Sequence, residues 1–310
     1  MSILVRHATL ADAAAITEIH CSDNRQWFRF EARGRVPARY EELSLYERWL
    51  NGGPWMSLET CTVHLNRLLL AGHFALVAQV DHQVAGEAEL YLSDEPQPMG
   101  RTLHLSILYV HRAKQRHGAG SKLVREAIEL ARELGCDTLT VVPEIKPFYA
   151  KLGFELCKRL VETQAPTRDH TSRFPAEPVL DGRYAVVRGL SLVIGRYQSP
   201  CQAWEELPND MAIPELRILR AVRWRFQPDE LAAYLMLKET VTRERLASAA
   251  AWFANDGIPT LDVVQALLAQ ARRMGFTRLE LLLEEQAYHH LARQFGLTVQ
   301  GHREIWQFRI

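Results

Sequence analysis

The hydrophobic pattern changes from strand-like to helix-like around one short turn. A mostly apolar run covers residues 103–110. A helical period follows, with apolar side chains at positions 123, 124, 127, 128, 130 and 131. Between them lies a cationic segment with two glycines, Arg112 to Gly120. This order predicts a strand, a loop and the start of a helix.

The pattern predicts further elements on both sides of this turn. Upstream, we expect a first strand over 3–8, a helix capped by Thr9, a helix over about 57–71, and a hairpin of 74–80 with 83–92. Downstream, we expect a helix end at Gly135, a strand over 137–142, a loop over 164–182 and a strand over 183–188.

The C-terminal half repeats this order less faithfully. Strands are predicted over 216–226, 231–238 and 246–253, and a helix over 261–273. Gly275 parallels Gly135, and Gly296 parallels Gly153. This alignment puts Ile258 and Thr260 where the first half has Gly118 and Gly120, and Ala292 where it has Tyr149. We therefore expect a second domain that lacks the glycines and the tyrosine.

The chain ends on an alternating segment. Trp306, Phe308 and Ile310 alternate with Ile305, Gln307 and Arg309, which predicts a strand with one covered face. We expect this strand to be sheltered by the sheet or by the other domain.

Composition limits the class of protein. The 310 residues are enough for one large domain or two ordinary ones, and 47% of them are hydrophobic, which favours a globular core. Lys+Arg and Asp+Glu are both 37, so no overall field attracts nucleic acid or an anionic membrane. The five cysteines are far apart, without the spacing of a metal site. We expect a soluble cytoplasmic protein with no metal and with neither nucleic acid nor a membrane as partner.

The glycine-bearing turn is a predicted anion site. Gly118 and Gly120 have no Cβ, so a ligand can come close to the main chain. The N–H groups and the dipole of the following helix point to the same spot. Lys114, Arg116 and Lys122 add positive charge. A diphosphate suits such a turn, although neither a dinucleotide fingerprint nor a Walker loop is present.

Two motifs resemble one family. The spacing Gln115-x-x-Gly118-x-Gly120 resembles the acetyl-CoA pyrophosphate loop of the GNAT superfamily of N-acetyltransferases. The segment from Tyr149 to Phe154 resembles the Y-x-K-x-G-F ending of the last GNAT helix. The resemblance covers residues 3 to about 160. Taken with the repeat, it implies an α+β (α/β/α) fold of two tandem GNAT-like domains with mixed central sheets, 1–190 and 191–310, the second degenerate.

The resemblance also implies acetyl-CoA as the co-substrate and a set of residues that bind it. Main-chain groups of the central strand would pair with the pantetheine arm, and loop amides would hold the pyrophosphate. By position, the binding residues are Leu108, Tyr109 and Val110 on the strand and Gln115, Arg116, His117, Gly118, Ala119, Gly120 and Ser121 in the loop and helix start.

Tyr149 matches the family's general acid to the sulfur of CoA. A phenol with a pKa of about 10 is protonated at neutral pH and can donate to a thiolate whose pKa is about 8.5. The pair Phe148-Tyr149 would bury one ring and turn the other to the cofactor. The alternative is a core aromatic without a chemical role.

The sequence offers more than one candidate for the base that accepts the proton of the amine. Family members often place a carboxylate six residues before Val110, where this chain has His104, with the same strand parity. A neutral imidazole can accept a proton directly or through water. His104 hydrogen-bonded to a strand neighbour is an equally good interpretation. Glu87 and Glu89 are rivals, either as the base or as ligands of a cationic acceptor.

The resemblance thus predicts direct acetyl transfer to an amine of a small molecule or a peptide. A non-catalytic acyl-CoA-binding or scaffold protein is the alternative. The identity of the acceptor depends on residues 20–60, which have little pattern, and a homodimer is left open.

Overall fold

The computed structural model describes residues 2–31, 34–97, 99–169, 176–195, 199–206, 221–226, 233–239, 245–254 and 261–310. They form two compact units that interleave along the sequence. The first holds the described residues up to Tyr91 and Leu105–Leu134. The second holds Leu92–His104 and the described residues of 135–206 and 221–310. A domain boundary at 190/191 stays a prediction.

Most of the helices and strands predicted upstream of Gly135 are present. The helices are α1 Ala13–Cys21, α2 Leu45–Leu50, α3 Leu58–Leu70 and α4 Ala119–Glu133. The strands are β1 Ile3–His7, β2 Trp27–Glu31, β3 Gly34–Ala38, β4 Phe74–Val80, β5 Gln83–Asp94 and β6 Arg101–Val110. The order in the first unit's sheet is β1-β4-β5-β6, and the hairpin β2-β3 was not predicted.

Thr9, the predicted helix cap, is the N-cap of a 3-10 turn, Leu10–Asp12, that leads directly into α1. The carboxylate of Asp12 accepts the Thr9 N–H at 2.8 Å, which forms one half of a capping box. The Ser57 hydroxyl accepts the Thr60 N–H at 3.2 Å and begins α3.

Neighbouring residues of β5 show which helices cover the sheet of the first unit. The carboxylate of Glu87 is hydrogen-bonded to His20 of α1. A Cβ on Gly86 would lie 3.2 Å from Leu123 of α4. Because successive strand residues face opposite sides, α1 lies on one face of the sheet and α4 on the other. The first unit is therefore an α/β/α sandwich, as expected.

The second unit is a larger mixed sheet with helices. Its elements are β7 Thr138–Val141, α5 Lys146–Lys151, β8 Glu155–Pro166, β9 Ala176–Val179, β10 Ser191–Ile194, α6 Pro200–Glu205, β11 Ala221–Phe226, β12 Ala233–Glu239, β13 Leu246–Phe253, α7 Leu261–Arg273, β14 Arg278–Glu284, α8 Glu285–Phe295 and β15 Thr298–Arg309. The strand order is β7-β15-β8-β14-β10-β13-β12-β11-β9, and β14 also pairs in parallel with β13.

The backbone supports the predicted repeat. Gly135 and Gly275 follow α4 and α7 with φ of +63° and +90°. Gly153 and Gly296 follow α5 and α8 with φ of +91° and +61°. Glycine adopts such a conformation without steric cost, which explains why these helices end there. Ile258 and Thr260, which carry the predicted loss of the loop glycines, lie outside the described residues.

Strand β15 occupies an unexpected place in this sheet. It lies between β7 and β8 and is antiparallel to both, with Trp306 opposite Val141 and Arg303 opposite Leu160. Strand β8 in turn lies between β15 and β14. The last strand of each repeat thus inserts beside the other repeat. The expected terminal strand is present, and its shelter is the sheet itself.

Burial along β15 does not follow a simple alternation. Ile305 is 2% exposed, and the three residues after it are all half-buried. Ile305 pairs with Lys158 and Trp306 pairs with Leu156, so the extra residue at this register shift is Cys157 and the bulge lies on β8.

Two local predictions are wrong. Residues 183–188 were predicted as a strand, but Tyr184–Val186 is a 3-10 turn. The Tyr184 hydroxyl donates to the Asp94 carbonyl at 2.9 Å, and its backbone N–H donates to Glu205 at 2.7 Å. These contacts override the strand propensity of the valines. Within the predicted loop of 164–182, Ala176–Val179 is a strand that pairs with β11.

Ile305 provides a test of β15. It packs with Leu160 and Leu282, so Ile305→Ala removes buried methyl groups and should lower the free energy of unfolding by about 2–5 kcal/mol. Val299→Ala is the matched control, because Val299 is 43% exposed on the same strand. Urea denaturation would measure both. Equal effects of the two variants would contradict the placement of β15.

Candidate active site

The predicted anion loop joins β6 to α4. Gln115 to Gly118 are exposed, and Ala119 is buried where the helix begins. The Gln115 side-chain amide donates to the Val110 carbonyl at 3.2 Å, which ties the loop to the end of the strand. Arg116 and Gly118 have φ of +64° and +93°. Such left-handed residues turn successive N–H groups toward one side of a loop.

The start of α4 leaves main-chain donors available. The N–H of Lys122 donates to the Gly118 carbonyl at 3.0 Å, and this bond begins the helical ladder. Residues 119–121 are the first helical residues, and such N–H groups have no intrahelical partner. With the helix dipole, they form an anion-binding end of the kind that the sequence predicts.

The end of β6 lies in close contact with β5. Leu108, Tyr109 and Val110 are all half-buried. A Cβ on Gly86 of β5 would lie 3.1 Å from the Tyr109 carbonyl, so only glycine fits there without a shift. The His111 N–H donates to the Ala85 carbonyl at 2.8 Å. The two strands are thus in close contact at Gly86, one residue before Glu87.

A buried cluster of two carboxylates and two imidazoles lies in the first unit. His20 Nε2 is hydrogen-bonded to Glu87 Oε1. His64 Nε2 lies 2.9 Å from Glu89 Oε2, and the Trp55 indole N–H donates to Glu89 Oε1 at 2.7 Å. The four side chains of Glu87, Glu89, His20 and His64 are all buried. We call these four residues the Glu–His cluster.

Aromatic rings enclose the cluster. The His20 ring stacks on Trp55 with centroids 4.9 Å apart and on Tyr109 at 4.2 Å. The His64 ring meets Trp55 edge-on at 5.1 Å. The rings fix the imidazoles and keep the carboxylates in an apolar surrounding, where the energy of a charge depends on its partners.

The two glutamates are shifted in opposite directions. Burial raises the pKa of Glu87, and the nearby charge of Glu89 adds to this, although His20 opposes it. Burial would also raise the pKa of Glu89, but His64 and the hydrogen bond from Trp55 outweigh burial and lower that pKa. Glu89 therefore keeps its charge, and Glu87 takes up a proton more readily.

His104 lies in the second unit. Its Nδ1 is 3.0 Å from the Thr140 hydroxyl. Burial lowers its pKa to about 4, so the ring is neutral at physiological pH and a weak base. The contact with Thr140 corresponds to the alternative of a strand histidine bonded to a neighbour.

Tyr149 lies on α5 in the second unit and is 7% exposed. Its ring packs edge-on against Phe148 and Phe154, with centroids 4.9 and 5.5 Å away. Of the adjacent pair, Tyr149 is the buried ring and Phe148 the half-buried one. Burial raises the pKa of Tyr149, and the charge of Glu144 adds to this, so the phenol stays protonated.

The sequence did not reveal His20, His64 and Trp55 as parts of the site. Each is separated from its glutamate by 25 to 67 residues, so no local spacing connects them. One signal was available: two glutamates of the same parity on an apolar strand need partners once buried.

The chain carries a recognisable family domain. Residues 26–154 match the model of the acetyltransferase (GNAT) family. This stretch is a GNAT acetyltransferase domain. It includes the loop, both glutamates of β5, His104 and Tyr149, whereas His20 precedes it. In the described part of the chain, no helix has the length and apolar character needed to cross a membrane.

Two curated proteins are similar over part of the chain. A probable glucosamine 6-phosphate N-acetyltransferase 2 from Oryza sativa subsp. japonica is 37% identical over 57 residues, 18% of this chain and 34% of that protein. A bifunctional enzyme IspD/IspF from Maricaulis maris is 31% identical over 155 residues, 49% of this chain and 32% of that protein. The chain spans about a third of the length of these curated relatives.

A solved structure supports the fold. A GCN5-related N-acetyltransferase from Anabaena variabilis is 12% identical with a TM-score of 0.62, covering 99% of this chain and 72% of that one. The expected GNAT-like α+β fold with a mixed central sheet is confirmed. That the second repeat is degenerate stays a prediction.

His104 should make stability depend on pH. Its pKa is about 4 in the folded chain and about 6.5 in an unfolded one, so between these values the unfolded chain binds the extra proton. The free energy of unfolding should therefore fall as pH drops from about 6.5 to 4, by up to about 3 kcal/mol for this group.

Urea denaturation across this pH range would test it. His104→Asn keeps a donor near Nδ1 and should flatten the pH dependence. His82→Asn, at an exposed turn position, is the matched control. An unchanged pH dependence in His104→Asn would contradict a depressed pKa.

Proposed function

We propose that the chain is an acetyl-CoA-dependent N-acetyltransferase that passes the acetyl group directly to an amine. One observation carries the proposal: the β6–α4 turn, with Arg116 and Gly118 at positive φ and with the first N–H groups of α4, which have no intrahelical partner. It lies inside the region that matches the GNAT family.

The residues present suit a diphosphate. A side chain at Gly118 would meet Ile3 at 3.6 Å, so the surrounding protein leaves room at this position and backbone conformation alone demands glycine. The N–H groups of 119–121 would donate to phosphate oxygens, and Arg116 is exposed beside them. The assigned binding residues Gln115, His117, Ala119, Gly120 and Ser121 belong to this same turn.

The end of β6 would hold the arm of the cofactor. Main-chain groups of Leu108, Tyr109 and Val110 are assigned to the pantetheine amides by their place in the motif. Bound acetyl-CoA would supply a thioester whose thiolate leaves when an amine attacks. The chain must then hold the donor, accept a proton from the acceptor and provide one to the sulfur.

Tyr149 is the proposed donor of the sulfur's proton. Its raised pKa keeps the phenol protonated, so its hydroxyl can donate a hydrogen bond to the sulfur as negative charge develops there. Its aromatic neighbours Phe148 and Phe154 hold the ring in one orientation. For the base, His104, Glu87 and Glu89 are the residues to compare.

The acceptor is proposed to be a primary amine of a small molecule or a peptide. The name of the Oryza relative makes glucosamine 6-phosphate a reasonable first compound to test. A broader set of amines and amino-terminal peptides would complete the survey. A chain that binds acetyl-CoA but acetylates none of them would be an acyl-CoA-binding protein instead.

Gly118→Val tests the loop. A β-branched side chain at φ of +93° strains the turn and covers the main chain, so the dissociation constant for acetyl-CoA should rise at least about tenfold. Isothermal titration calorimetry should find one site per chain in the parent protein.

Gly72→Val is the control for strain. Gly72 has φ of +79° and open space around it, at the turn before β4. Its variant should bind acetyl-CoA normally. Two sites per chain, or normal binding by Gly118→Val, would contradict the assignment.

Tyr149→Phe tests the proton donor. The change keeps the ring and removes the hydroxyl, so kcat should fall about 10²-fold while the dissociation constant for acetyl-CoA stays unchanged. Tyr288→Phe on the corresponding helix α8 is the matched control. Unchanged turnover in Tyr149→Phe would make Tyr149 a core aromatic.

A further inference from the structure

Glu87 has an oxygen that the fold leaves without a partner. The residue is 0% exposed, and Oε1 is hydrogen-bonded to His20. Its other oxygen, Oε2, is buried and has no hydrogen-bond partner among the described residues. An ionised oxygen in that position is costly, and a proton on the carboxyl group removes the cost.

Glu89 shows the opposite arrangement two residues further along the same strand. Both of its oxygens approach His64 Nε2, at 3.0 and 2.9 Å, and Trp55 also donates to Oε1. Its charge is therefore compensated. Paired acidic groups whose surroundings separate their proton affinities are typical of acid–base chemistry, with one group fixed and the other exchanging the proton.

The location of Glu87 connects it to the proposed reaction. It follows Gly86, whose missing side chain allows β5 to approach the Tyr109 carbonyl. Its partner His20 stacks on the Tyr109 ring at 4.2 Å. Under the proposed function, the main chain at Leu108–Val110 holds the arm that ends in the thioester. The Glu87–His20 pair lies beside that strand end.

We propose that the Glu87–His20 pair, rather than His104, accepts the proton that the acceptor's ammonium loses before it attacks the thioester. This inference rests on the proposed function. Glu89 and His64 act as positioning residues, because they fix a negative charge next to the pair.

The proton balance is simple. One ammonium N–H bond breaks, its proton passes to the pair, and the freed lone pair forms the nitrogen–carbon bond as the carbon–sulfur bond breaks. The nitrogen gives up a second proton as the amide forms, which balances the proton that the thiolate takes. The pair returns its own proton to solvent before the next turnover.

The groups that face Glu87 set the direction of its pH dependence. They are His20 on α1, Glu89 on β5, and His64 and Cys61 on α3. Tyr109 on β6 contacts the pair through the His20 ring. Burial raises the pKa of Cys61 to about 12, so it is a neutral thiol. The raised pKa of Glu87 means that the basic form appears above the ordinary glutamate range of about 4.3. Activity should rise with pH through that ionisation.

The experiment compares pH profiles of kcat/KM for the full chain with acetyl-CoA and an accepted amine. Glu87→Gln should lower kcat/KM about 10²- to 10⁴-fold and remove the rising limb, with the affinity for acetyl-CoA unchanged. His104→Asn should keep the limb. Glu129→Gln, on the exposed surface of α4, is the matched control.

A second measurement does not need activity. Infrared spectra of the parent chain with isotope-labelled glutamate carboxyls should show one buried carboxyl that titrates above the ordinary range, and Glu87→Gln should lack this signal. This infrared measurement still tests the proposal if Glu87→Gln folds poorly, because the parent chain by itself must show the titrating carboxyl group.

The outcomes separate the two proposals. A parent chain that binds no acetyl-CoA or acetylates no amine would overturn the proposed function, and the inference with it. An active parent whose rising limb survives in Glu87→Gln, or is lost in His104→Asn, would overturn the inference alone. Absence of the titrating carboxyl would also overturn it.

Discussion

The second unit depends on one strand that has hydrogen-bonded neighbours on both sides. Strand β15 is antiparallel to β7 and to β8. A strand removed from the middle of a sheet leaves two rows of main-chain groups unpaired, which is costly when they are buried. Because β15 comes from the end of the chain and its neighbours from 138–166, neither repeat can complete this sheet alone.

The first unit is organised by a different constraint, the burial of charge. Glu87 and Glu89 are almost inaccessible, so their free energy depends on groups supplied by α1, α3 and the turn that contains Trp55. The partners compensate Glu89 fully and Glu87 on one oxygen. If charge compensation were the only requirement, hydrogen-bond partners for both glutamates would make the fold more stable. The missing partner of Glu87 Oε2 is therefore best explained by function.

Much of the fold could be predicted because its signals are local. Thr9, Gly135 and the spacing of α4 each act within a few residues, through caps and hydrophobic period. Predictions failed where distant contacts decide. The Tyr184 hydroxyl bonds to Asp94, 90 residues earlier, and the turn there replaced a predicted strand. The bulge at Cys157 of β8 exists only in the pairing with β15 and has no signature in the local sequence.

In the candidate site, too, the parts built from neighbouring residues could be predicted and the parts built from distant residues could not. The loop around Gly118 was predictable because its chemistry is main-chain chemistry and its residues are contiguous. The Glu–His cluster was not, since His20 and Glu87 are 67 residues apart. Even the family match leaves part of it out, because His20 precedes the matched residues 26–154.

Under the proposed function, binding of acetyl-CoA and binding of the acceptor use different parts of the chain. The proposed cofactor-binding residues form a continuous segment, β6 to α4, that a fold of this type can keep while other residues change. Binding of the acceptor uses side chains from α1, the turn at Trp55 and α3. A change at Glu87 alone would leave His20 buried without its partner, so these side chains must change together. Similarity at 12% identity therefore shows the scaffold, while the acceptor is determined by residues that such similarity does not fix.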